Sequence, residues 1–370
     1  MFLLWGELNI VSGTGSRRYD DITVMHAAGF LEGALTGKLI NEHYNNIFGI
    51  FFKSENDTLL NKVAKFFQMQ DIWMRTMIAK NSNDSAFWRQ MGNILAQYDG
   101  LVSGYHTYPP TDKILPVLAF QILNGAGDLI DLQHALDPKR VPDWDHMTKD
   151  QILTKVFTKG HCSALIKVLP AYENIFASHA SWFVYSAMLR IYKHYYFNLK
   201  DSSTGTYNNQ YMILDLKLVE LNKTLHDNAL WVVEQIPTYV ASGDQTEILR
   251  LGYWPSYNVP FYEKVYNLSG YPEFVEKHGT SYSYQLAPRA KIFRRDQATV
   301  HDMDTMKHIM RYNDYKHDPY SANNPTNAIC ARGDLNPDNP LADGCYDAKV
   351  TDFFMAQSLV STAISGPTAQ

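Results

Sequence analysis

The chain has little that could brace it covalently or hold it in a membrane. Three cysteines occur in 370 residues, Cys162, Cys330 and Cys345. They are too few for a disulfide-built scaffold, although the last two can close a short loop and leave Cys162 outside it. No run reaches the ~18 apolar residues of a membrane span. The opening MFLLWGELN meets Glu7 before a signal-like apolar core has formed, so no targeting segment is expected. An excess of one charge is missing too. With 33 basic and 38 acidic residues the formal net charge is −5, which gives no reason to expect nucleic acid or another polyanion as a partner.

Most familiar chemical motifs are also absent. There is no P-loop, no H-E-x-x-H and no G-x-S-x-G elbow, which disfavours a nucleotide-triphosphate site, a zincin and a serine hydrolase of the usual lipase fold. Gly13-Thr14-Gly15 follows an expected strand, but Arg18 stands at the third glycine position and no βαβ unit follows. Asp334, Asn336 and Asp338 begin like a calcium loop, yet Asn339 replaces its glycine and Cys345 its terminal Glu. A surface turn is expected there. Arg332-Gly333-Asp334 is a weak candidate adhesion tripeptide. The 13 His lack Cys/His pairs at ligand spacing, so no metal and no cofactor is expected.

What is present is a globular composition, 45% hydrophobic, 19% charged and 13% aromatic, long enough for more than one core. Trp5 to Val11 alternates as a half-buried strand. Val24, Ala28, Leu31, Leu35 and Leu39 recur at helical spacing behind caps at Asp20 and Asp21. Leu59, Val63, Phe66, Trp73 and Met77 repeat the pattern, as do Trp88, Met91, Leu95 and Tyr98, and these stripes are expected to be core. A fourth helix is expected from about Asp112 to Ala135. Beyond Asp137 the period shifts. Cys162 to Leu169, Ile175 to Tyr185, Met188 to Phe197, Gln210 to Lys217 and Ala229 to Val240 are strand-like runs ordered as a meander. An amphipathic helix is expected over Gln297 to Arg311, and an irregular stretch over Asp318 to Asp347. Helices followed by a mainly antiparallel sheet make this an α+β protein.

One stretch carries chemistry. Gly160-His161-Cys162-Ser163-Ala164-Leu165-Ile166-Lys167-Val168-Leu169-Pro170 delivers a cysteine to the first position of an expected strand. A thiol there can attack the carbonyl of His161. After an N-to-S acyl shift and hydrolysis, Cys162 becomes the first residue of a new chain. Its α-amine, with a pKa of about 7.7 to 8, then accepts the thiol proton, and no separate His/Asp pair is required. The alternative reading is a buried structural cysteine.

GHCSALIKVLP followed by FASHASW resembles the nucleophile region of the phospholipase B-like family, N-terminal-nucleophile hydrolases of lysosomal and secreted type. WGELNIVSG, AAGFLEGALT, GTYNNQYMILD, YWPSYNVP, APRAKIFRRDQ, MRYNDYKHDPYS, GCYDAKV and ISGPT resemble other segments of that family, in order. The resemblance implies a four-layer αββα sandwich. It divides the chain into a mainly helical leading segment, 1–161, released as a small chain by cleavage between His161 and Cys162, and a large chain, 162–370. It implies Cys162 as nucleophile, His179 and Trp182 on the next strand, Asn258 as donor to the tetrahedral oxyanion, and Arg289 polarising substrate or orienting its partners. His179 and Trp182 are three apart on one strand, so a bulge or the strand end must bring them together. The implied substrate is a phospholipid or related lipid, with an N-acyl amide, or a non-catalytic lipid- or glycan-binding role, as alternatives. Four N-x-S/T sequons, at Asn56, Asn83, Asn222 and Asn267, are candidate glycosylation sites suited to a lysosomal or extracellular protein, at a number close to what chance yields. Where the family carries a long stretch with further strands, Tyr196 to Gly205 is almost a direct join.

Overall fold

The computed structural model describes residues 6–52, 54, 58–110, 114–148, 151, 161–200, 207–212, 250–358 and 360–365. They fall into two compact units that interleave along the sequence. The first comprises Met1–Asp143 and Leu189–Asp215, the second Trp144–Met188 and Leu216–Gln370.

In the first unit, β1 (Gly6–Ser12) is followed by α1 (Asp21–Phe51), α2 (Thr58–Asn81), α3 (Ala86–Thr107), α4 (Val117–Asn124) and α5 (Ala126–Leu136). Asp20 caps α1 by accepting from Thr23 N–H at 2.8 Å. The expected fourth helix is two helices that meet at Gly125. The face that α1 buries is not the leucine stripe expected from spacing. Leu31 and Leu35 are exposed, while Gly29, Gly33 and Gly37 are buried with Val24, Met25 and Ala28. The reason is backbone contact. A Cβ on Gly33 would lie 2.0 Å from the Leu101 carbonyl oxygen, and one on Gly104 of α3 2.0 Å from that of Phe30. Only glycine lets the two helices approach so closely. Trp73 is likewise exposed, and Trp88, Met91, Leu95 and Tyr98 are half-buried rather than central.

The chain returns to this unit as β4 (Ile191–Lys200) and β5 (Tyr207–Met212). β1 pairs in parallel with β4 and β5 is antiparallel to it, giving a three-stranded sheet in the order β1-β4-β5. The expected meander is thus broken, because β4 leaves its predecessors for another sheet. The buried carboxylate of Glu32 holds α1 on β4, accepting from Lys193 Nζ at 2.5 Å and from Tyr195 Oη at 2.6 Å.

The second unit contains β2 (His161–Val168), β3 (Ile175–Val184), β6 (Tyr253–Ser256), α6 (Glu263–Leu268), α7 (Tyr271–His278), α8 (Pro288–Asp296), α9 (Met303–Met310), β7 (Asp343–Asp352), α10 (Phe353–Gln357) and β8 (Thr362–Ser365). Its strands form a five-stranded antiparallel sheet ordered β6-β2-β3-β7-β8. One face, with Leu165, Phe176, Ala180, Trp182, Ala348 and Val350, packs on Ile292, Phe293, Met306, Ile309 and Met310 of α8 and α9. The helix expected over Gln297 to Arg311 is α9, preceded by a separate helix, α8, that sequence periodicity did not reveal. The strand expected at Ala229 to Val240 lies outside the described residues.

The protein is therefore α+β, with helices and two sheets. Cys330 and Cys345 form a disulfide across a separation of 15 residues, tying the 328–332 segment to β7. Arg332 and Asp334 pair with each other, and Tyr185 Oη donates to Asp334 at 2.7 Å, so the charged ends of the Arg-Gly-Asp tripeptide are engaged internally. Asn336 Oδ1 accepts from Asp338 N–H at 3.1 Å, the local turn expected in place of a calcium loop. Asn83 and Asn267 are exposed; Asn56 and Asn222 lie outside the described residues. No helix among the described residues is long and apolar enough to cross a membrane, and no three metal-ligating side chains gather among them.

Candidate active site

Cys162 is the second residue of β2, half-buried and outside the disulfide. The ladder between β2 and β6 runs from Lys167↔Tyr253 to Ala164↔Ser256. Two residues further, position 258 would face position 162, but the backbone leaves the ladder. Asn258 adopts a left-handed φ of 65°, a conformation that Asn tolerates better than most residues. Side chains then complete the lost rung. Cys162 N–H donates to Asn258 Oδ1 at 3.2 Å, and Arg289 Nη1 donates to the Cys162 carbonyl at 2.8 Å. Arg289 Nη1 also reaches Asn258 Oδ1 at 3.1 Å. Two obligate donors meeting at one atom identify it as the oxygen of the amide, which leaves Nδ2 as the donor end.

Arg289 sits in the first turn of α8, directly after Pro288, whose fixed φ suits the helix start. Its remaining contacts are to Ser163 Oγ at 3.2 Å, the Tyr257 carbonyl at 2.7 Å, and the Trp182 ring, 4.7 Å below the guanidinium carbon. Among the described residues no carboxylate pairs with it. Burial pulls its pKa down to about 10, opposed first by the Cys162 thiol nearby. At neutral pH it remains a cation, held by neutral oxygens and an aromatic face. Such a charge beside a thiol favours the thiolate.

The strand register assigns the other candidates to faces. Cys162 lies opposite Ser181, and Ala164 opposite His179. Residues directly opposite share a sheet face, so Cys162, Ser181 and His179 are on one side. Trp182 is on the other, buried in the core beneath Arg289. His179 and Trp182 are therefore not brought together. The bulge near Trp182 is in β7, where register shifts between Ser181↔Asp347 and Trp182↔Cys345. β3 itself keeps its alternation. His179 Nδ1 is 3.2 Å from Ser181 Oγ.

Four contributors escaped the sequence reading. Ser163 is fully buried and donates to the Ile329 carbonyl at 2.8 Å while accepting from Arg289; an inward-facing serine beside the nucleophile was visible in the strand alternation. Tyr257 offers Arg289 only its carbonyl, which no side-chain pattern signals. Tyr271 Oη donates to the Asn258 carbonyl at 3.0 Å, steadying the left-handed turn. Ser181 was hidden between two residues already singled out.

A family model described as Phospholipase B matches residues 4–204 and 200–370. The chain belongs to the phospholipase B family. It is 43% identical over 449 residues to Phospholipase B-like 1 of Homo sapiens, covering 99% of this chain and 79% of that one. It is 41% identical over 444 residues to Phospholipase B of Crotalus adamanteus, covering 98% and 80%. Against Phospholipase B-like protein G of Dictyostelium discoideum it is 30% identical over 472 residues, covering 98% and 77%. An alignment of 449 positions against 370 residues leaves about 80 positions of the human relative without a counterpart here. The two family matches meet at residues 200–204, between β4 and β5.

Proposed function

We infer that this chain is an acyl hydrolase of the phospholipase B-like kind, in which the Cys162 thiolate attacks an acyl carbonyl and releases the acyl group to water through a thioester. Cleavage between His161 and Cys162 supplies the α-amine that takes the thiol proton. The observation that supports this reading is the Arg289 cation clamped on the Cys162 carbonyl near the thiol, with no carboxylate partner among the described residues. Asn258 holds the Cys162 nitrogen through Oδ1, so Nδ2 is the end available to a tetrahedral oxyanion. Arg289 and Trp182 position rather than react, and His179 serves on the thiol's face. The bond cleaved is a lipid ester, by the names of the relatives; the alternative is an N-acyl amide, since an N-terminal cysteine nucleophile suits both. A lysosomal or extracellular setting, with glycans on exposed Asn83 and Asn267, accords with the family resemblance.

The test is mass spectrometry of purified protein. A new N-terminus at Cys162 is expected, absent in Cys162→Ala, with acyl release from phosphatidylcholine vesicles or an N-acylethanolamine only from the cleaved form. Activity from an intact chain would defeat the mechanism. One observation favours a second reading: the two family matches meet between β4 and β5, neighbouring strands of one sheet. In that reading the chain is a non-catalytic relative that binds lipid or glycan, and vesicle binding without cleavage or acyl release would identify it.

A further inference from the structure

Autocleavage poses a problem that turnover does not. The α-amine that serves as base in the mature site is an amide nitrogen before the cut, and an amide cannot accept the thiol proton. Another acceptor is needed for the first event, and the face of the sheet that carries Cys162 holds one.

The pairing pattern sets residue 181 directly across from residue 162. Val168 N–H bonds to the Gly252 carbonyl, so the even residues of β2 direct their backbone groups toward β6. Cys162↔Ser181 is therefore a non-hydrogen-bonded pair with β3, the kind in which facing side chains approach most closely. Their Cβ atoms are about 4.5 to 5.5 Å apart in such pairs. Ser181 Oγ in turn lies 3.2 Å from His179 Nδ1. By register, residues 162, 181 and 179 thus follow one another along a single face, with Cys162 also packed against the core cluster that holds Trp182. The charged groups around them are Asp347 and Lys349 of β7, opposite Ser181 and His179, and Arg289 of α8 at the strand edge.

We propose that Ser181 is a positioning residue for maturation, relaying the Cys162 thiol proton to His179 Nδ1 during the first cleavage. The proposal rests on the Cys162 reading above. As the thiol gives its proton to Ser181 Oγ, Ser181 passes its own to Nδ1. The sulfur forms a bond to the carbonyl carbon of His161, whose oxygen takes the π electrons. Collapse breaks the bond to the Cys162 nitrogen, the relayed proton returns to that nitrogen, and water then hydrolyses the thioester to the His161 carboxylate and a restored thiol. The relay requires neutral His179, with Nδ1 unprotonated.

The experiment follows the appearance of the Cys162 N-terminus against time from pH 5 to 8, in the full chain and in Ser181→Ala, Ser181→Thr and His179→Gln, with melting temperature recorded for each. The wild type should cleave faster as pH rises through the histidine range. Ser181→Ala should be slowed ~10²-fold, the scale of a lost acid–base contribution, and Ser181→Thr, which keeps the hydroxyl, should recover most of the rate. His179→Gln should lose the pH dependence. Wild-type cleavage with Ser181→Ala equally fast, or with Ser181→Thr as slow as a folded Ser181→Ala, overturns the relay alone. A wild type that never cleaves overturns both the relay and the Cys162 reading. If Ser181→Ala does not fold, the Thr and Gln variants decide between the same outcomes.

Discussion

Arg289 shows how much one side chain can hold when its charge has no counterion among the described residues. Its bonds to the Cys162 and Tyr257 carbonyls, Ser163 Oγ and Asn258 Oδ1 replace both solvent and a carboxylate. Arg289→Ala would take this donor from the Cys162 and Tyr257 carbonyls, and is expected to cost about 3 kcal/mol or more, read by urea unfolding. Arg289→Lys keeps the charge but not the fork, so it should retain less than half of that stabilisation and lose cleavage at Cys162. A stability equal to wild type would show that the clamp is incidental. Asp343 makes the opposite kind of residue-scale statement. It is 1% exposed, neither carboxyl oxygen has a hydrogen-bond partner among the described residues, and burial, with Asp334 adding to it, raises its pKa from 3.8 to about 7. Between about pH 4 and pH 7 the folded chain keeps a proton that the unfolded chain has lost, so stability should fall as pH rises through that window. Melting temperature should be higher at pH 5 than at pH 7.5, and Asp343→Asn should flatten the difference. Equal pH slopes in the two proteins would remove Asp343 as the cause.

At the scale of elements, the glycine seam between α1 and α3 makes a sharp prediction. Gly33→Ala or Gly104→Ala forces a Cβ to within 2.0 Å of a facing carbonyl oxygen and should cost about 3 kcal/mol by overpacking. Gly49→Ala, on the same helix with nothing within 4 Å, should instead stabilise by about 0.5 kcal/mol through helix propensity. Thermal melts of the three variants check the pair of signs. The Cys330–Cys345 disulfide closes a loop of 15 residues, and its removal as a double Cys→Ser variant should cost about 3 kcal/mol on the loop-entropy estimate. The seam also explains what was readable in the chain. Helix existence followed from periodicity, but the buried face did not, because hydrophobic spacing credits Leu31 and Leu35 while close backbone packing selects Gly29, Gly33 and Gly104. Strands β2 and β3 were legible for the reverse reason: one face is buried, so alternation is strict. β4 was legible as a strand but not as a member of another sheet, since a parallel pairing with β1 is a long-range choice that no local pattern encodes. Cys162 was legible through kinship, whereas the rung built by Asn258 and Arg289 was not, because it joins positions far apart in sequence.

For the molecule as a whole, the segment that joins β4 and β5 is where the family match divides. About 80 aligned positions of the human relative have no counterpart, and the two family matches meet there. Among the described residues the sheet of the first unit has three strands, and the same unit exposes Leu35, Met69, Ile72, Trp73 and Phe87. Strand edges left unpaired among the described residues, together with apolar surface, favour association. Size-exclusion chromatography should show concentration-dependent oligomers, reduced when the relative's intervening stretch is inserted between residues 200 and 207. A monodisperse monomer without the insertion would count against this view.

The rung at Cys162 has a consequence for any newborn chain end. A terminus created by a cut normally frays, yet this one would stay moored, its nitrogen on an amide oxygen and its carbonyl on a guanidinium. The ammonium formed there would neighbour a permanent cation, and the repulsion should ease its proton away below the ordinary range of terminal amines. Titration of a ¹⁵N-labelled cysteine nitrogen would detect that displacement, and an ordinary value would mean the mooring slips once the bond is gone.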